Sequence, residues 1–236
     1  MNSRYLCWNK KIIADFSPAN INSFYNEGYV FTRLGKGVMH QTRSLRVDLS
    51  KFELTSENRR VLRKTDGLQL TAKSLPLTDY SWRIGKLAKN FYDTKFGSGT
   101  MSANKVKHLL TDEKESNFNL LLQYSLNAEL RTVNEPLGYA IGYANSDILH
   151  YAYPFYDLSN VKSPASSAGR QMSNVGMGMM LRAILYAQES GKKYTYLGSA
   201  QRPGDVYKLQ FAGWEWFDGK KWQNDITLLK AQLQQT

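Results

Sequence analysis

The order of secondary structures predicted after Gly67 constrains the fold of this 236-residue chain more than any other feature of the sequence. LQLTAKSL alternates apolar and polar residues as a strand does, whereas DYSWRIGKLAKNFYDTKF and SANKVKHLLTDEKE have helical spacing, the second beginning after Ser102 as N-cap. NFNLLLQYSLNAE, EPLGYAIGYANSD and ILHYAYPFYDL predict three antiparallel strands joined by turns at NEP and NSD. The pattern therefore begins with a strand, two helices and a three-stranded meander.

The rest of the chain alternates between helix and strand. A polar stretch, SNVKSPASSAGRQMSN, has no apolar period and predicts a loop. VGMGMMLRAILYAQESG then predicts a helix ending at Gly191, KKYTYLG a strand, GDVYKLQFAG a helix and WEWFDGKKWQ a hairpin. This order is similar to that of the GCN5-related acyltransferase fold. We therefore expect an α+β protein with a mixed sheet flanked by helices, in which the strands of LHYAYPFYDL and KKYTYLG run parallel.

The stretch SNVGMGMML is the candidate phosphate loop. In the GCN5-related fold a glycine-containing loop opens a helix whose free amides and dipole hold an anion, usually a cofactor pyrophosphate. Gly176 and Gly178 would let the backbone approach a phosphate closely. Ser173 stands where that fold usually has Gln or Arg. The alternative is a helix start at which small residues permit close packing.

A second feature is the positive charge of the chain. Thirty-one Lys and Arg against 20 Asp and Glu give a net charge of +11 and a pI of about 9.6. A balance of this size favours a polyanionic partner, nucleic acid before a membrane surface. The segment RSLRVDLSKFELTSENRRVLRK concentrates this charge, with five arginines and two lysines in a strand followed by a helix start. A solvated basic helix is the alternative interpretation of that segment.

The residues before Gly67 predict a basic, β-rich subdomain. ANINSFYNEGY predicts a short helix, YVFTRLGKGVMHQTRSLRVDL a hairpin that turns at GKG, and TSENRRVLRK a helix with Thr55 or Ser56 as N-cap. We therefore expect two domains, a basic N-terminal subdomain over residues 1–66 and a transferase-like domain over residues 67–236.

Cysteine and histidine usage argues against a metal site. Cys7 is the only cysteine, so neither a disulfide nor a thiolate cluster can form within the chain. His40, His108 and His150 are isolated and lack the spacing of metal ligands. The first residues lack the apolar run of a signal peptide, and no stretch has the length of a transmembrane helix. These observations predict a cytoplasmic protein that binds no metal and no membrane.

Four segments, in the same order along most of the chain, resemble the aminoacyl-tRNA–protein transferases, the arginyl- and leucyl-transferases. The segment RSLRVDLSKFELTSENRRVLRK resembles the family's basic strand followed by S-x-x-Q-R-R-V-x-R-R, with Asn58 where the family commonly has Gln. YAYPFYD is similar to Y-x-[FY]-[FY]-D-P, and VGMGMMLRAILYAQESGKKYTYLG to the glycine-led helix and its Y-[VL]-Y-L-G strand. YKLQFAGWEWFDGKKW is similar to Y-K-x-x-F-x-x-x-E-x-x-x-x-G-x-W, with the glycine one position earlier, and the match includes Lys208 and Glu215.

The resemblance implies transfer of an amino acid from aminoacyl-tRNA, as co-substrate in place of a cofactor, to the N-terminal amine of a protein or peptide. Two departures affect what can be carried over. The family's N-terminal cysteine cluster is absent, so metal or redox regulation is not expected here. The loop between Asp157 and Gly176 also looks longer than the family's.

The predicted site follows from these motifs. Guanidinium groups bind phosphates and stack on bases, so we expect a tRNA-binding surface from Arg43, Arg46, Arg59, Arg60, Arg63, Lys64 and Lys208. Arg59 and Arg63 are four residues apart in the predicted helix TSENRRVLRK, so they share a face of it. The candidate catalytic residues are Asp157, Tyr156, Tyr153 and Glu215. Capping of the next turn is the alternative role of Asp157.

Two other functions stay open on the sequence. An acyl-CoA-dependent N-acyltransferase would use the same glycine loop, although Ser173 and the basic N-terminal half do not favour it. A catalytically silent RNA-binding protein on the same fold would account for the charge. The sequence specifies neither the amino acid transferred, nor the acceptor residue, nor the oligomeric state.

Overall fold

The computed structural model describes residues 5–127, 136–159 and 173–234. The strands in these segments are β1 Asn9–Ile12, β2 Tyr29–Phe31, β3 Val38–Gln41, β4 Ser44–Asp48, β5 Leu68–Ser74, β6 Leu120–Leu126, β7 Gly138–Ala144, β8 Ile148–Tyr156, β9 Tyr194–Ser199, β10 Trp214–Phe217 and β11 Trp222–Gln223. The helices are α1 Pro18–Asn26, α2 Ser56–Lys64, α3 Trp82–Phe96, α4 Ala103–Thr111, α5 Val175–Glu189 and α6 Ile226–Gln234, with a 3-10 helix over Pro203–Leu209.

These elements form two compact units. Unit 1 consists of the described residues of Met1–Thr55, Ala144–His150 and Ala187–Thr236, and unit 2 of those of Ser56–Tyr143 and Tyr151–Tyr186. Each unit combines separate parts of the sequence, so the predicted division into domains at residue 66 stays a prediction.

Unit 1 contains a mixed run of strands in the order β11-β10-β4-β9-β8. β4 pairs antiparallel with both β9 and β10, whereas β8 pairs parallel with β9 through residues 148–150 and 194–196. This parallel pair confirms the prediction made from LHYAYPFYDL and KKYTYLG. A separate three-stranded sheet, β1-β3-β2, contains the predicted hairpin, because β2 and β3 pair antiparallel on either side of the GKG turn.

Unit 2 contains the predicted meander and the two helices that precede it. β5 pairs antiparallel with β6, β6 with β7, and β7 lies beside β8, which contributes residues 151–156 to this unit. Helix α4 begins at the predicted N-cap, since the Ser102 side chain accepts a hydrogen bond from the Lys105 amide. The fold is therefore the expected α+β type, with strands of a mixed sheet and flanking helices.

Three segments differ from the sequence-based expectation or lie outside the structure described. β4 does not extend the β2–β3 hairpin, because its backbone pairs with β9 and β10. GDVYKLQFAG forms a 3-10 helix rather than an α-helix. Residues 160–172, which hold most of the loop that looks longer than the family's, lie outside the described residues.

A buried arginine joins four strands of unit 1. The Arg46 guanidinium lies 4.0 Å from the ring centroids of both Tyr194 and Trp222. Its Nε donates to Glu215 Oε2 at 2.8 Å, and its Nη1 donates to the Tyr196 hydroxyl at 3.4 Å. Because a buried guanidinium is stable only when its charge and donors are satisfied, this contact fixes β4 against β9, β10 and β11.

A buried histidine joins α1 to β8 within unit 1. The Tyr25 hydroxyl and His150 Nδ1 are 2.9 Å apart, and both side chains are buried. Burial, with a smaller contribution from the charge of Lys208, lowers the pKa of His150 to about 3. The folded protein therefore holds this histidine neutral over the whole range in which an unfolded histidine takes up its proton.

The low pKa of His150 predicts that the free energy of unfolding falls in acid. His150→Gln should remove this part of the pH dependence, because glutamine does not take up a proton. A histidine in the unfolded chain titrates at about pH 6.5, so the stabilisation that His150 contributes is complete above that pH and declines as the pH falls. The difference in unfolding free energy between wild type and His150→Gln should narrow by about 2 kcal/mol between pH 7 and pH 5, measured by urea unfolding. The exposed His108, changed to Gln, is the matched control. A wild-type advantage that is equal at both pH values would contradict the assignment.

Candidate RNA-binding and transfer site

Helix α2 presents basic side chains on its exposed side. Asn58 and Val61 are buried, whereas Arg59, Arg63 and Lys64 are exposed. Arg59 and Arg63 are four residues apart and share a face, as the helical spacing predicts. The arrangement leaves these two guanidinium groups on the solvent side of a helix that is anchored by its opposite face.

Arg60 differs from the other arginines of α2 because it is half-buried and paired with Glu57. Its Nε donates to Glu57 Oε2 at 2.6 Å, and its Nη2 contacts the other carboxylate oxygen. An ion pair three residues apart in a helix stabilises the helix only slightly. Arg60 therefore offers less of its charge to a ligand than Arg59 and Arg63 do.

The C-terminal end of α2 packs closely against the first turns of α5. A Cβ added at Gly178 would lie 2.6 Å from Thr65 Cγ2 and 2.7 Å from Thr65 Oγ1, closer than real Cβ atoms approach. Thr65 follows Lys64 directly, so the last basic residues of α2 lie within two positions of this contact. Gly178 is therefore required for helix packing, which is the alternative that the sequence left open for this glycine.

Arg182 holds the same contact by hydrogen bonds. Its Nε donates to the Leu68 carbonyl at 2.6 Å, its Nη2 to the Thr65 carbonyl at 2.7 Å and its Nη1 to Thr65 Oγ1 at 2.8 Å. Carbonyls just after a helix are unsatisfied by the helix itself, and a cation there is favourable. Arg182 therefore ties the end of α2 to α5, and its half-buried position lowers its pKa through desolvation.

The start of α5 lies beside Tyr156. Asn174, the residue before the helix, has a φ of +65°, and its carbonyl accepts the Gly178 amide at 2.9 Å. A Cβ at Gly176 would lie 3.3 Å from Tyr156 Cε1 and 3.4 Å from the tyrosine hydroxyl oxygen. Glycine at this position lets the aromatic ring and its hydroxyl approach the helix start, where amides without helical acceptors are found. Ser173 lies just outside the helix and is half-buried.

Tyr156 is held at the end of β8 by α3. Its ring centroid is 4.9 Å from that of Phe91, and the Tyr92 hydroxyl donates to the Pro154 carbonyl at 3.1 Å. Burial raises the pKa of Tyr156 above its usual value, so the phenol stays protonated near neutral pH. Within the described residues the Tyr156 hydroxyl has no hydrogen-bond partner.

Asp157 and Tyr153 occupy structural positions in unit 2. Asp157 Oδ1 accepts from the Ser159 amide at 2.9 Å and from the Ser159 hydroxyl at 2.6 Å, the contacts of a residue that caps a turn. The ring of Tyr153 packs edge-on against Phe118 at 5.4 Å. The turn-capping alternative for Asp157 is thus what the structure shows, and a catalytic role for either residue stays a prediction.

The other predicted site residues belong to unit 1 and have internal partners. Arg43 and Arg46 are 6% and 7% exposed, so neither presents its guanidinium to solvent. Glu215 pairs with Arg46 at 2.8 Å and with Lys51 at 3.5 Å. Lys208 donates to the Ser199 carbonyl at 3.0 Å, and desolvation lowers its pKa. Arg46, Glu215 and Lys208 thus already have charged or polar partners within unit 1, and a role of these residues or of Arg43 in a binding or catalytic site stays a prediction.

Two residues that the sequence reasoning did not select, Thr65 and Arg182, join α2 to α5. The signal for Arg182 was present, since it is the one charged residue in the helical stretch VGMGMMLRAILYAQ. A single charge in an apolar helix needs a partner when it is half-buried. The sequence offered no means of finding that partner in the residues just after α2.

The described residues contain neither a metal-binding cluster of side chains nor a membrane-spanning helix. The described segments place no three His, Cys, Asp or Glu side chains where they would jointly hold a metal ion. Among the same segments, no helix combines the length and the apolar character that crossing a membrane requires.

Comparison with known proteins supports the resemblance to aminoacyl-tRNA–protein transferases. No family model matches the chain. An aspartate/glutamate leucyltransferase of Ruegeria pomeroyi is 25% identical over 182 residues, which cover 76% of this chain. The matched part is 61% of that relative, so the chain corresponds to less than two thirds of its length.

The solved structures that match the chain are more distant from it in sequence. The C-terminal domain of a putative lysylphosphatidylglycerol synthetase from Agrobacterium fabrum has a TM-score of 0.43 at 12% identity, covering 82% of this chain and 55% of that one. FemX has a TM-score of 0.43 at 11% identity, covering 78% and 60%. A GCN5-related N-acetyltransferase from Kribbella flavida has a TM-score of 0.36 at 13% identity, covering 87% and 61%.

The contact between α2 and α5 predicts that Gly178→Ala destabilises the protein. The added methyl would overlap Thr65, and overpacking of this kind costs about 1–3 kcal/mol. Gly204→Ala is the matched control, because a Cβ at Gly204 meets nothing within 4 Å. Urea unfolding measures both variants. Equal stability of Gly178→Ala and wild type would show that α2 and α5 do not pack as described.

Proposed function

We propose that this protein transfers an amino acid from aminoacyl-tRNA to the N-terminal amine of a protein or peptide. The observation that carries the proposal is the joining of an exposed basic helix, α2, to the glycine-led start of α5 through Thr65, Gly178 and Arg182. Arginines that bind phosphate and free amides that bind an anion are thereby held in one unit. The sequence similarity to an aspartate/glutamate leucyltransferase supports the same reaction.

The RNA end of the proposed site is α2. Arg59 and Arg63 supply two exposed guanidinium groups on one face, and Lys64 adds a third positive charge near the contact with α5. A guanidinium group can bind two phosphate oxygens at once, and it can also stack on a base. An acceptor end, a run of phosphates that finishes in a single strand, has the chemistry to match this surface.

The reaction itself is aminolysis of an ester. The neutral α-amine of the acceptor attacks the carbonyl carbon of the aminoacyl ester, a C–N bond forms, and the C–O bond to the terminal ribose breaks. The proton released by the amine is balanced by protonation of the ribose oxygen. Because the ester is already activated, positioning of donor and acceptor supplies much of the rate.

Tyr156 is the residue of unit 2 best placed to assist this chemistry. Its protonated hydroxyl lies beside the start of α5, so in the proposed mechanism it donates a hydrogen bond to the developing oxyanion, together with amides of the first turn. Asp157 supports the strand end by capping the next turn. In this proposal the amine's proton leaves through solvent.

The function is tested with separate charged tRNAs and a peptide pool. The relative's name makes leucyl-tRNA the first donor to test and peptides beginning with Asp or Glu the first acceptors, with arginyl-tRNA and other charged tRNAs as further arms. Mass spectrometry should show an aminoacyl mass on a peptide N-terminus, and transfer should persist in EDTA if the tRNA stays folded. Acetyl mass from acetyl-CoA, without aminoacyl mass from any charged tRNA, would replace the proposal with the acyl-CoA alternative. RNA binding without any transfer would support the catalytically silent alternative.

Charge reversal on α2 should weaken tRNA binding and its salt dependence together. Arg59→Glu/Arg63→Glu removes two phosphate contacts, so the slope of log affinity against log salt should fall by about 2. Lys10→Glu/Lys11→Glu, on the exposed strand β1 of unit 1, changes the net charge equally and is the matched control. Filter binding or anisotropy over a salt series measures both. If the two double variants bind alike, the effect comes from overall charge and α2 is not the contact.

Tyr156→Phe should slow transfer while leaving tRNA affinity unchanged. Loss of one hydrogen-bond donor to an oxyanion lowers the rate of acyl transfer by about 100-fold or more. Single-turnover transfer gives the rate, and equilibrium binding of uncharged tRNA gives the affinity. A full rate in the variant would remove Tyr156 from the reaction.

A further inference from the structure

Helix α3 exposes a tryptophan at its first residue. Trp82 is 64% exposed, although indole is among the most favourable side chains to bury. Ser81 caps the helix through the Arg83 amide, so Trp82 is not needed to begin it. Its aromatic contact in the described part of the chain is with Lys86, whose Nζ lies 5.4 Å from the ring centroid.

The exposed tryptophan is part of a polar, basic helix face. Lys86 and Lys89 follow it at helical spacing, and both are exposed. The opposite face is buried and consists of Ile84, Gly85, Ala88, Phe91 and Tyr92. Trp82 therefore lies on the outer side of the helix, away from the core that its apolar character would otherwise favour.

The charge of α3 is strongly positive. The helix carries Arg83, Lys86, Lys89 and Lys95 against one acidic residue, Asp93. Asp93 is paired with Lys89 at 2.6 Å. Among the described residues Lys86 has no acidic partner, so a positive charge remains beside Trp82, and a polyanion is the complementary partner.

This helix also supports the proposed transfer site. Phe91 packs on Tyr156 at 4.9 Å between ring centroids, and Tyr92 bonds to β8. The same helix thus covers Tyr156 with its buried face and exposes Trp82 and Lys86 on its outer face.

We propose that Trp82 and Lys86 form a contact for unpaired RNA, in which a base stacks on the indole ring and Lys86 binds an adjacent phosphate. Stacking on an aromatic side chain is independent of base identity, and a neighbouring cation adds attraction to the backbone. The identification of the RNA as the unpaired part of tRNA rests on the proposed function, whereas the contact itself does not.

A membrane surface fits this face less well than RNA does. Interfacial helices bury a broad apolar face in the lipid boundary. The exposed face of α3 offers one indole ring among lysines at its start and the half-exposed Phe96 at its last residue, while Ile84, Ala88, Phe91 and Tyr92 are buried. Binding to anionic vesicles is therefore an outcome that the experiment must separate from RNA binding.

The experiment measures the binding of a single-stranded RNA oligonucleotide and of a duplex of equal length by anisotropy over a salt series. Trp82→Leu should weaken single-strand binding about tenfold with an unchanged salt slope, because stacking is lost and charge is not. Trp82→Phe should retain most of the affinity, since it keeps an aromatic face. Lys86→Ala should lower the salt slope by about 1.

Phe16→Ala is the matched control, since Phe16 is also an exposed aromatic with a lysine, Lys36, at 5.0 Å from its ring. The proposal is overturned if Trp82→Leu binds single strands as wild type does, if Phe16→Ala weakens binding equally, or if the loss is as large on the duplex. Loss of binding to phosphatidylglycerol vesicles, with RNA binding intact, would identify a membrane contact instead. Because the RNA probe carries no amino acid, these outcomes are independent of whether aminoacyl transfer occurs.

Discussion

The close approach of Thr65 to Gly178 is the constraint on which the proposed site depends. A helix rich in arginine that had no fixed neighbour would be an ordinary solvated surface, whereas α2 is fixed to the start of α5. The absence of a side chain at Gly178 lets Thr65 reach α5, and Arg182 then holds the carbonyls of Thr65 and Leu68. Basic residues for phosphate and the start of a glycine-led helix are thereby combined in one unit.

The positive charge of the chain serves two different purposes. In unit 1, Arg46 is buried between Tyr194 and Trp222 and neutralised by Glu215, so its charge stabilises the strand arrangement. In unit 2, Arg59 and Arg63 are exposed to solvent. A net charge of +11 therefore overstates the surface available to a polyanion, and in the proposals above the exposed helices α2 and α3 supply that surface.

The elements that depend on nearby residues were predictable from the sequence. The Ser102 N-cap, the meander and the shared face of Arg59 and Arg63 follow from spacing alone, and the structure has all three. The burial of Arg46 was not predictable, because its partners Tyr196 and Glu215 lie 150 and 169 residues further along the chain. The same holds for Arg182, whose partner Thr65 is 117 residues away. Residue types in a motif indicated the chemistry, whereas long-range pairing decided which charges stay available.

Crosslinking tests the central claim, that α2 and the start of α5 together bind the acceptor end of tRNA. A tRNA labelled and photoactivatable at its 3′ end would be bound, irradiated and digested, and the crosslinked peptides identified by mass spectrometry. The account predicts crosslinks within Ser56–Lys64 and within residues 173–181, both reduced in Arg59→Glu/Arg63→Glu. Crosslinks confined to unit 1, such as to β4 or the 3-10 helix, would contradict it.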